Sequence, residues 1–207
     1  MIYTKGFQAN ENFLFSYRRC PYAIRARFAL VLESIKFSLM EISLKDKPND
    51  LFRLSAKATV PVLVLKNGNV IDESLEIMLW VFNQTNSTEK YFPEAFKEEI
   101  NQLINENDTS FKKNLDAYKY ELNLNKKMNY LLMCKNFLDK IENLLNLNKF
   151  MFGKNISAAD IAIFPFIRQL ILVDPKKFSE LSLLNIQRWY QVIIETECYK
   201  AIMIKPS

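Results

Sequence analysis

The hydrophobic periodicity of this chain changes once, and that change restricts it to folds with two differently built halves. Between Asn12 and about Gln84, short apolar runs alternate with stretches of helical spacing. Phe13 to Tyr17 reads as a buried strand, and Pro21 to Glu33 carries Ile24, Phe28, Val31 and Leu32 on one helical face. Phe37 to Ile42 is a second strand, and a short helix through Leu51, Phe52 and Leu54 follows Pro48. Val62 to Leu65, a turn at Asn67-Gly68, and Val70-Ile71 form a hairpin, after which Ser74 to Phe82 is helical. Beyond Pro93 every apolar pattern has the 3.6-residue period: Phe96, Ile100, Leu103, Ile104, Phe111, Leu115 and Tyr118, then Leu131, Cys134, Leu138, Ile141 and Leu145, then Ile186, Trp189, Tyr190 and Ile193.

The first half therefore has the element order βαβαββα, that of a thioredoxin-like α/β domain over residues 1–84. The polar stretch 85–93 reads as a linker, and residues 94–207 as an all-α bundle. One helix start in the bundle is legible in detail. Ser157-Ala158-Ala159-Asp160 fits a capping box, in which the Ser157 side chain accepts from the Asp160 backbone N–H and the Asp160 carboxylate reaches back. Ile156 and Ile161 supply the flanking hydrophobic pair, and the acid is read as structural.

Composition narrows the chemistry. The 207 residues are 49% hydrophobic and 25% charged, the balance of a globular protein with a sizeable core. There is no apolar run of about 18 residues or more, and the first residues lack the basic-then-apolar order of a signal peptide, so a cytoplasmic protein without membrane partners is expected. The net charge of +5 is spread among interleaved acids, which speaks against a nucleic-acid stripe. Three widely spaced cysteines, Cys20, Cys134 and Cys198, make neither a disulfide framework nor a zinc site. The chain has no histidine, which removes every mechanism based on an imidazole and weakens any metal reading. A nucleophile here must be activated by other means.

Cys20 has such means. It stands between a strand and a helix in Ser16-Tyr17-Arg18-Arg19-Cys20-Pro21-Tyr22, with Pro21 suited to the first helical position. The backbone N–H groups and dipole of a helix start favour a thiolate, as do neighbouring arginines, and cysteines so placed have pKa values of roughly 3.5 to 7.5. Cys134 and Cys198 sit on helical patterns and read as core. Val60-Pro61, just before the hairpin, is a candidate for a cis bond that turns the Val60 backbone toward a ligand. At Asp72-Glu73-Ser74 a helix begins; Ser74 can cap it, its N-terminus can take a carboxylate, and Glu73 can take an ammonium. A plain cap beside a solvated acid is the alternative for that motif alone.

The chain resembles cytosolic glutathione transferases, and most closely their omega-like, cysteine-type branch, from Phe13 to about Tyr199. The resemblance is carried by Cys20-Pro21-Tyr22-Ala23, Lys47-Pro48, Thr59-Val60-Pro61-Val62-Leu63, Asp72-Glu73-Ser74 and the Ser157–Asp160 box. It implies Cys20 as the redox-active thiol, Tyr22 beside the glutathione cysteine, Lys47 near the glycyl carboxylate, the Val60 backbone on the cysteinyl amide, and Glu73 with Ser74 on the γ-glutamyl end. The N-terminal residues 1–10 lack the proline-rich character of animal omega enzymes, which points to a bacterial or divergent member.

The expected activity is glutathione-dependent thiol transfer through Cys20, with glutathione as co-substrate, no tightly bound cofactor, and a small electrophile or mixed disulfide as the second substrate. Ala23 occupies the place of a resolving cysteine, so external glutathione must complete the cycle. The resemblance also implies a homodimer. Relatives with this fold also act as binding proteins, for example on RNA polymerase, and a non-catalytic module of that kind is the alternative.

Overall fold

The computed structural model describes the strand Ile2–Tyr3 and residues 11–205; apart from that strand, the N-terminal extension 1–10 singled out in the sequence lies outside the described residues. The chain divides into two compact units, one of residues 1–88 with 195–207 and one of residues 89–194.

The first unit is built on a mixed sheet of strands β1 (Ile2–Tyr3), β2 (Phe13–Ser16), β3 (Ser38–Glu41), β4 (Val62–Val64) and β5 (Val70–Ile71), in the order β1-β3-β2-β4-β5. β3 runs parallel to β1 and β2, with Leu14 opposite Leu39, and β2 is antiparallel to β4, with Phe15 opposite Val62. All four residues of β2 are buried, as a central strand covered on both faces requires. The turn into β5 closes with the Gly68 N–H donating to the Leu65 carbonyl at 2.8 Å, and Gly68 takes a φ of +89° that favours glycine. Helices α1 (Pro21–Leu32), α2 (Asn49–Leu54) and α3 (Ser74–Gln84) complete the expected thioredoxin-like order.

Helix α1 departs from the one-faced pattern expected of it. Nearly every residue from Pro21 to Leu30 is buried, including Arg25 and Arg27 at 1% exposure each. A buried guanidinium is tolerated only where acceptors meet it. Arg27 donates to Ser16 Oγ and, at 2.7 Å, to the Arg18 carbonyl; Arg25 Nη1 donates to Ser74 Oγ at 3.2 Å.

The second unit is helical. A short helix α4 (Thr88–Tyr91) lies at the division, followed by α5 (Lys97–Glu106), α6 (Lys112–Tyr120), α7 (Leu124–Asn146), α8 (Ala158–Val173), α9 (Pro175–Glu180) and α10 (Leu184–Ile194). The expected stripes are its core: Ile100, Ile104, Phe111, Leu115, Leu131, Cys134, Leu138, Ile141, Leu145, Ile186, Trp189 and Ile193 are all buried. Tyr190 is only half-buried, and Phe96 stands out at 40% exposure because it ends a 3-10 turn ahead of α5 and lies off the helical stripe; its ring meets Phe152 at 5.6 Å. Between α5 and α6 the helix passes through a π-helical stretch, Asn107–Phe111, where the Thr109 and Ser110 hydroxyls donate to the carbonyls of Asn105 and Glu106. Hydroxyls bonded four residues back bend a helix and loosen its regular ladder.

Asp160 is the polar centre of this unit. The capping box forms as expected, with the Ser157 N–H at 2.8 Å and the Ser157 hydroxyl at 2.6 Å from Asp160 Oδ2. Its other oxygen, Oδ1, accepts from the Met151 N–H at 3.1 Å and from Trp189 Nε1 at 2.8 Å. Burial pushes the Asp160 carboxyl above its usual range, and these four donors pull the other way.

The last helix, α11 (Glu197–Ile202), was expected within the bundle, whereas residues 195–207 group with the first unit. Cys198 Sγ donates to the Phe28 carbonyl of α1 at 3.7 Å, and Arg18 Nη1 donates to the Met203 carbonyl at 3.5 Å.

Candidate functional site

Cys20 is the N-cap of α1 and Pro21 its first helical residue. The position follows from the sequence: proline fixes a helical φ and has no N–H to leave unbonded, so the helix starts immediately after Cys20. No side chain caps this start. The sulfur instead turns toward the Val60 carbonyl, donating to it at 3.6 Å, and Cys20 packs half-buried against the core cluster that includes Phe13, Phe15 and Val62. The Val60-Pro61 bond is cis.

The neighbouring arginines are committed elsewhere. Arg18 gives its backbone N–H to Glu41 Oε1 at 2.7 Å and reaches the Met203 carbonyl with its side chain, and the Arg19 guanidinium lies 5.9 Å from the centre of the Tyr17 ring. Tyr22, the second residue of α1, is half-buried with the Arg25 guanidinium 5.7 Å from its ring centre.

The short segment from Lys57 to Pro61 gathers residues that lie far apart in the chain. Lys57 Nζ pairs with Glu73, the Ala58 carbonyl accepts from Lys47 Nζ at 2.8 Å, and the Val60 carbonyl accepts from Cys20. Ala58 bends the segment with a φ of +46° and an N–H bonded to the Ser55 carbonyl at 3.0 Å. Ser55 in turn donates through its hydroxyl to Asp72 Oδ2 at 2.7 Å, which ties the end of α2 to the start of α3. Cys20, Lys47, Val60 and Glu73, separate in sequence, are thus linked through one five-residue bend.

Ser74 corrects one expectation. It is the first residue of α3 and not its cap; Glu73 holds the N-cap position, and no side chain caps this helix. The Ser74 side chain is buried, with its oxygen accepting from Arg25. Arg25 and Lys57 are the contributors that sequence reading missed. The one available signal was Arg25 lying among apolar residues on every side of α1, a place where a charge demands a partner.

Burial pushes the Cys134 and Cys198 thiols up to about 12 each, which keeps both protonated near neutral pH.

The chain matches two family models along most of its length. Residues 19–84 match the glutathione S-transferase N-terminal domain, and residues 94–197 the glutathione S-transferase C-terminal domain. A probable glutathione transferase of Aplysia californica is 43% identical over 58 residues, 28% of this chain, and that match spans 62% of the Aplysia protein. The mouse glutathione S-transferase omega-1 is 24% identical over 166 residues, 79% of this chain and 69% of the mouse protein. Among solved structures, a glutathione transferase of Pseudomonas putida with one glutathione disulfide bound per subunit superposes with a TM-score of 0.84 at 16% identity, covering 98% of this chain and 95% of that one. A thioredoxin-like unit with a cysteine at its first helix start, a helical unit centred on an Asp160 capping box, and a match to both domain models lead to one assignment: the chain belongs to the glutathione S-transferase family.

Proposed function

We propose that the protein is a glutathione-dependent thiol transferase with Cys20 as its reacting residue. The observation that carries the reading is the position of the Cys20 sulfur, half-buried at the uncapped start of α1 and 3.6 Å from the Val60 carbonyl. Helix-start dipoles favour an anion there, so a thiolate can form without an imidazole base. Two further features support glutathione as the partner. The Lys57–Pro61 bend brings a cation, Lys47, and an anion, Glu73, into one network with Cys20, and glutathione carries carboxylates and an ammonium for them to receive. The Val60 backbone, lying beside the Cys20 sulfur, suits an extended peptide such as its cysteinyl unit.

In the cycle, the Cys20 thiolate attacks the glutathione sulfur of a mixed disulfide. A bond forms between Cys20 and that sulfur, the original disulfide bond breaks, and the released thiolate takes a proton. A second glutathione, as thiolate, then attacks the glutathione sulfur held on Cys20, leaving as glutathione disulfide and restoring the Cys20 thiolate. Ala23 offers no internal thiol, so this second step is intermolecular. In this reading Lys47, Tyr22, Val60, Glu73 and Ser74 hold the peptide, and the Ser74 hydroxyl also accepts from Arg25.

The test is Cys20→Ser. Turnover of a glutathionylated peptide should vanish while retention on immobilised glutathione persists, and mass spectrometry should find a glutathione adduct on Cys20 of the native protein after treatment with glutathione disulfide. Persistent turnover in the mutant, or adducts on Cys134 or Cys198, would sink the assignment.

A further inference from the structure

Apolar and basic side chains coincide at one place in the second unit, the hairpin tip between α6 and α7. Among the described residues, six of the fifteen large apolar side chains that stand exposed fall between Tyr120 and Met133: Tyr120, Leu122, Leu124, Met128, Leu132 and Met133. Leu122 and Leu124 are 93% and 75% exposed, far more than a monomer surface needs to leave a leucine. Leu124, Met128 and Leu132 repeat every fourth residue and form a stripe along the first half of α7.

The same stretch holds most of the chain's net charge. Residues 112–135 contain six lysines against Asp116 and Glu121, a net +4 of the chain's total of +5. The acids are already engaged: Asp116 pairs with Lys112, and Glu121 Oε1 accepts from the Asn123 N–H at 2.9 Å. Lys135 pairs with Asp139 at 2.6 Å, whereas Lys113, Lys119 and Lys126 are exposed, with Lys119 4.7 Å from the centre of the Tyr120 ring.

We propose that this tip docks peripherally on an anionic phospholipid bilayer, with Tyr120, Leu122 and Leu124 entering the headgroup boundary and the lysines resting on the acidic surface. Three features select that occupant. The tip is a helix-helix corner from which the leucines protrude, and a fluid lipid surface accepts protruding apolar side chains without a complementary shape. Its charge is complementary to acidic lipid. A second copy of the chain seated on it symmetrically would set the lysine cluster against itself, which the charge opposes. No helix among the described residues is long and apolar enough to cross a membrane, so the mode is attachment at the surface.

The experiment is sedimentation of the full chain with vesicles of phosphatidylcholine, with and without phosphatidylserine. The protein should sediment with the phosphatidylserine vesicles and be released by salt. Lys126→Gln with Lys127→Gln should weaken that binding by about fivefold per lysine, and Leu122→Ser with Leu124→Ser by about tenfold, with circular dichroism unchanged because the leucines lie outside the core. Equal or absent binding to the two vesicle types overturns the proposal. So does full binding by the leucine variant, and so does a wild-type dimer in gel filtration that the leucine variant dissolves, which would make the tip a self-association surface.

Discussion

Arg25 Nη1 lies 3.2 Å from Ser74 Oγ, so a fully buried guanidinium of α1 is met by the first residue of α3. Replacing Ser74 by alanine removes that acceptor from a buried charge. The expected loss of stability is about 1 to 3 kcal/mol, in urea titrations followed by circular dichroism. Glutathione affinity should fall as well if Ser74 holds the γ-glutamyl end. Calorimetry at a temperature where the mutant is folded separates the two losses, and an unchanged stability would show that the contact is incidental.

Lys57 and Glu73 form a pair of another kind, with side chains 54% and 53% exposed. Surface pairs of this type contribute little, so Lys57→Ala should leave the unfolding midpoint nearly unchanged. Glu73→Ala should act instead on binding, weakening glutathione by about 1 to 3 kcal/mol if it receives the ligand ammonium. Isothermal calorimetry of both variants decides this, and equal effects of the two on affinity would place the ammonium elsewhere.

The Asp160 carboxylate, ringed by donors from Ser157, Met151 and Trp189, should tolerate no amide in its place. Asp160→Asn puts an NH2 group among donors and is expected to cost about 2 to 4 kcal/mol, while Trp189→Phe deletes a single donor and should cost about 1 to 2 kcal/mol. Chemical unfolding of the second unit measures both. A Trp189→Phe loss as large as that of Asp160→Asn would mean that ring packing, and not the hydrogen bond, dominates.

Alkaline pH should destabilise the fold. The folded-state thiols of Cys134 and Cys198 sit near 12, above the value of about 8.5 for an unfolded cysteine. A raised folded pKa contributes stability that is complete below the unfolded value and is lost as pH climbs from about 8.5 toward 12. Burial raises the Tyr118 hydroxyl as well, which adds a loss of the same sign from its unfolded value of about 10 upward. Thermal midpoints across this range should fall, and less steeply for Cys134→Ala. Alkylation at neutral pH should accordingly mark Cys20 and spare Cys134 and Cys198 until the protein unfolds.

Strands β2 to β5, the hairpin turn, the capping box and the cis candidate at Val60-Pro61 were readable because each rests on neighbours a few residues apart, whereas the edge strand β1 was not read. Pro21 set the start of α1 for the same reason. What escaped was decided by partners distant in sequence. Arg25 and Arg27 carry no local sign that Ser74, Ser16 and the Arg18 carbonyl will meet them, and Ser74 looked like a cap because serine before a helix usually is one. The π-helical stretch at Asn107–Phe111 preserves the apolar stripe on either side and so leaves the periodicity intact. The lysine cluster of residues 112–135 was overlooked because interleaving was judged along the whole chain, where a local excess averages away.

The return of residues 195–207 to the first unit makes the helical unit an insertion within a single folded body, held at two points. Clipping the chain after Ile194 thus removes the helix that supports Phe28 and Arg18, and would be felt at the Cys20 end of α1 before it was felt among the helices it appears to shorten. Conversely, if residues 89–194 melted, they would become a long closed loop between anchored ends, a constraint whose entropic cost grows only with the logarithm of loop length. The thioredoxin-like body could in that way outlast the helices, and limited proteolysis would then cut within residues 89–194 while leaving its two flanking pieces associated.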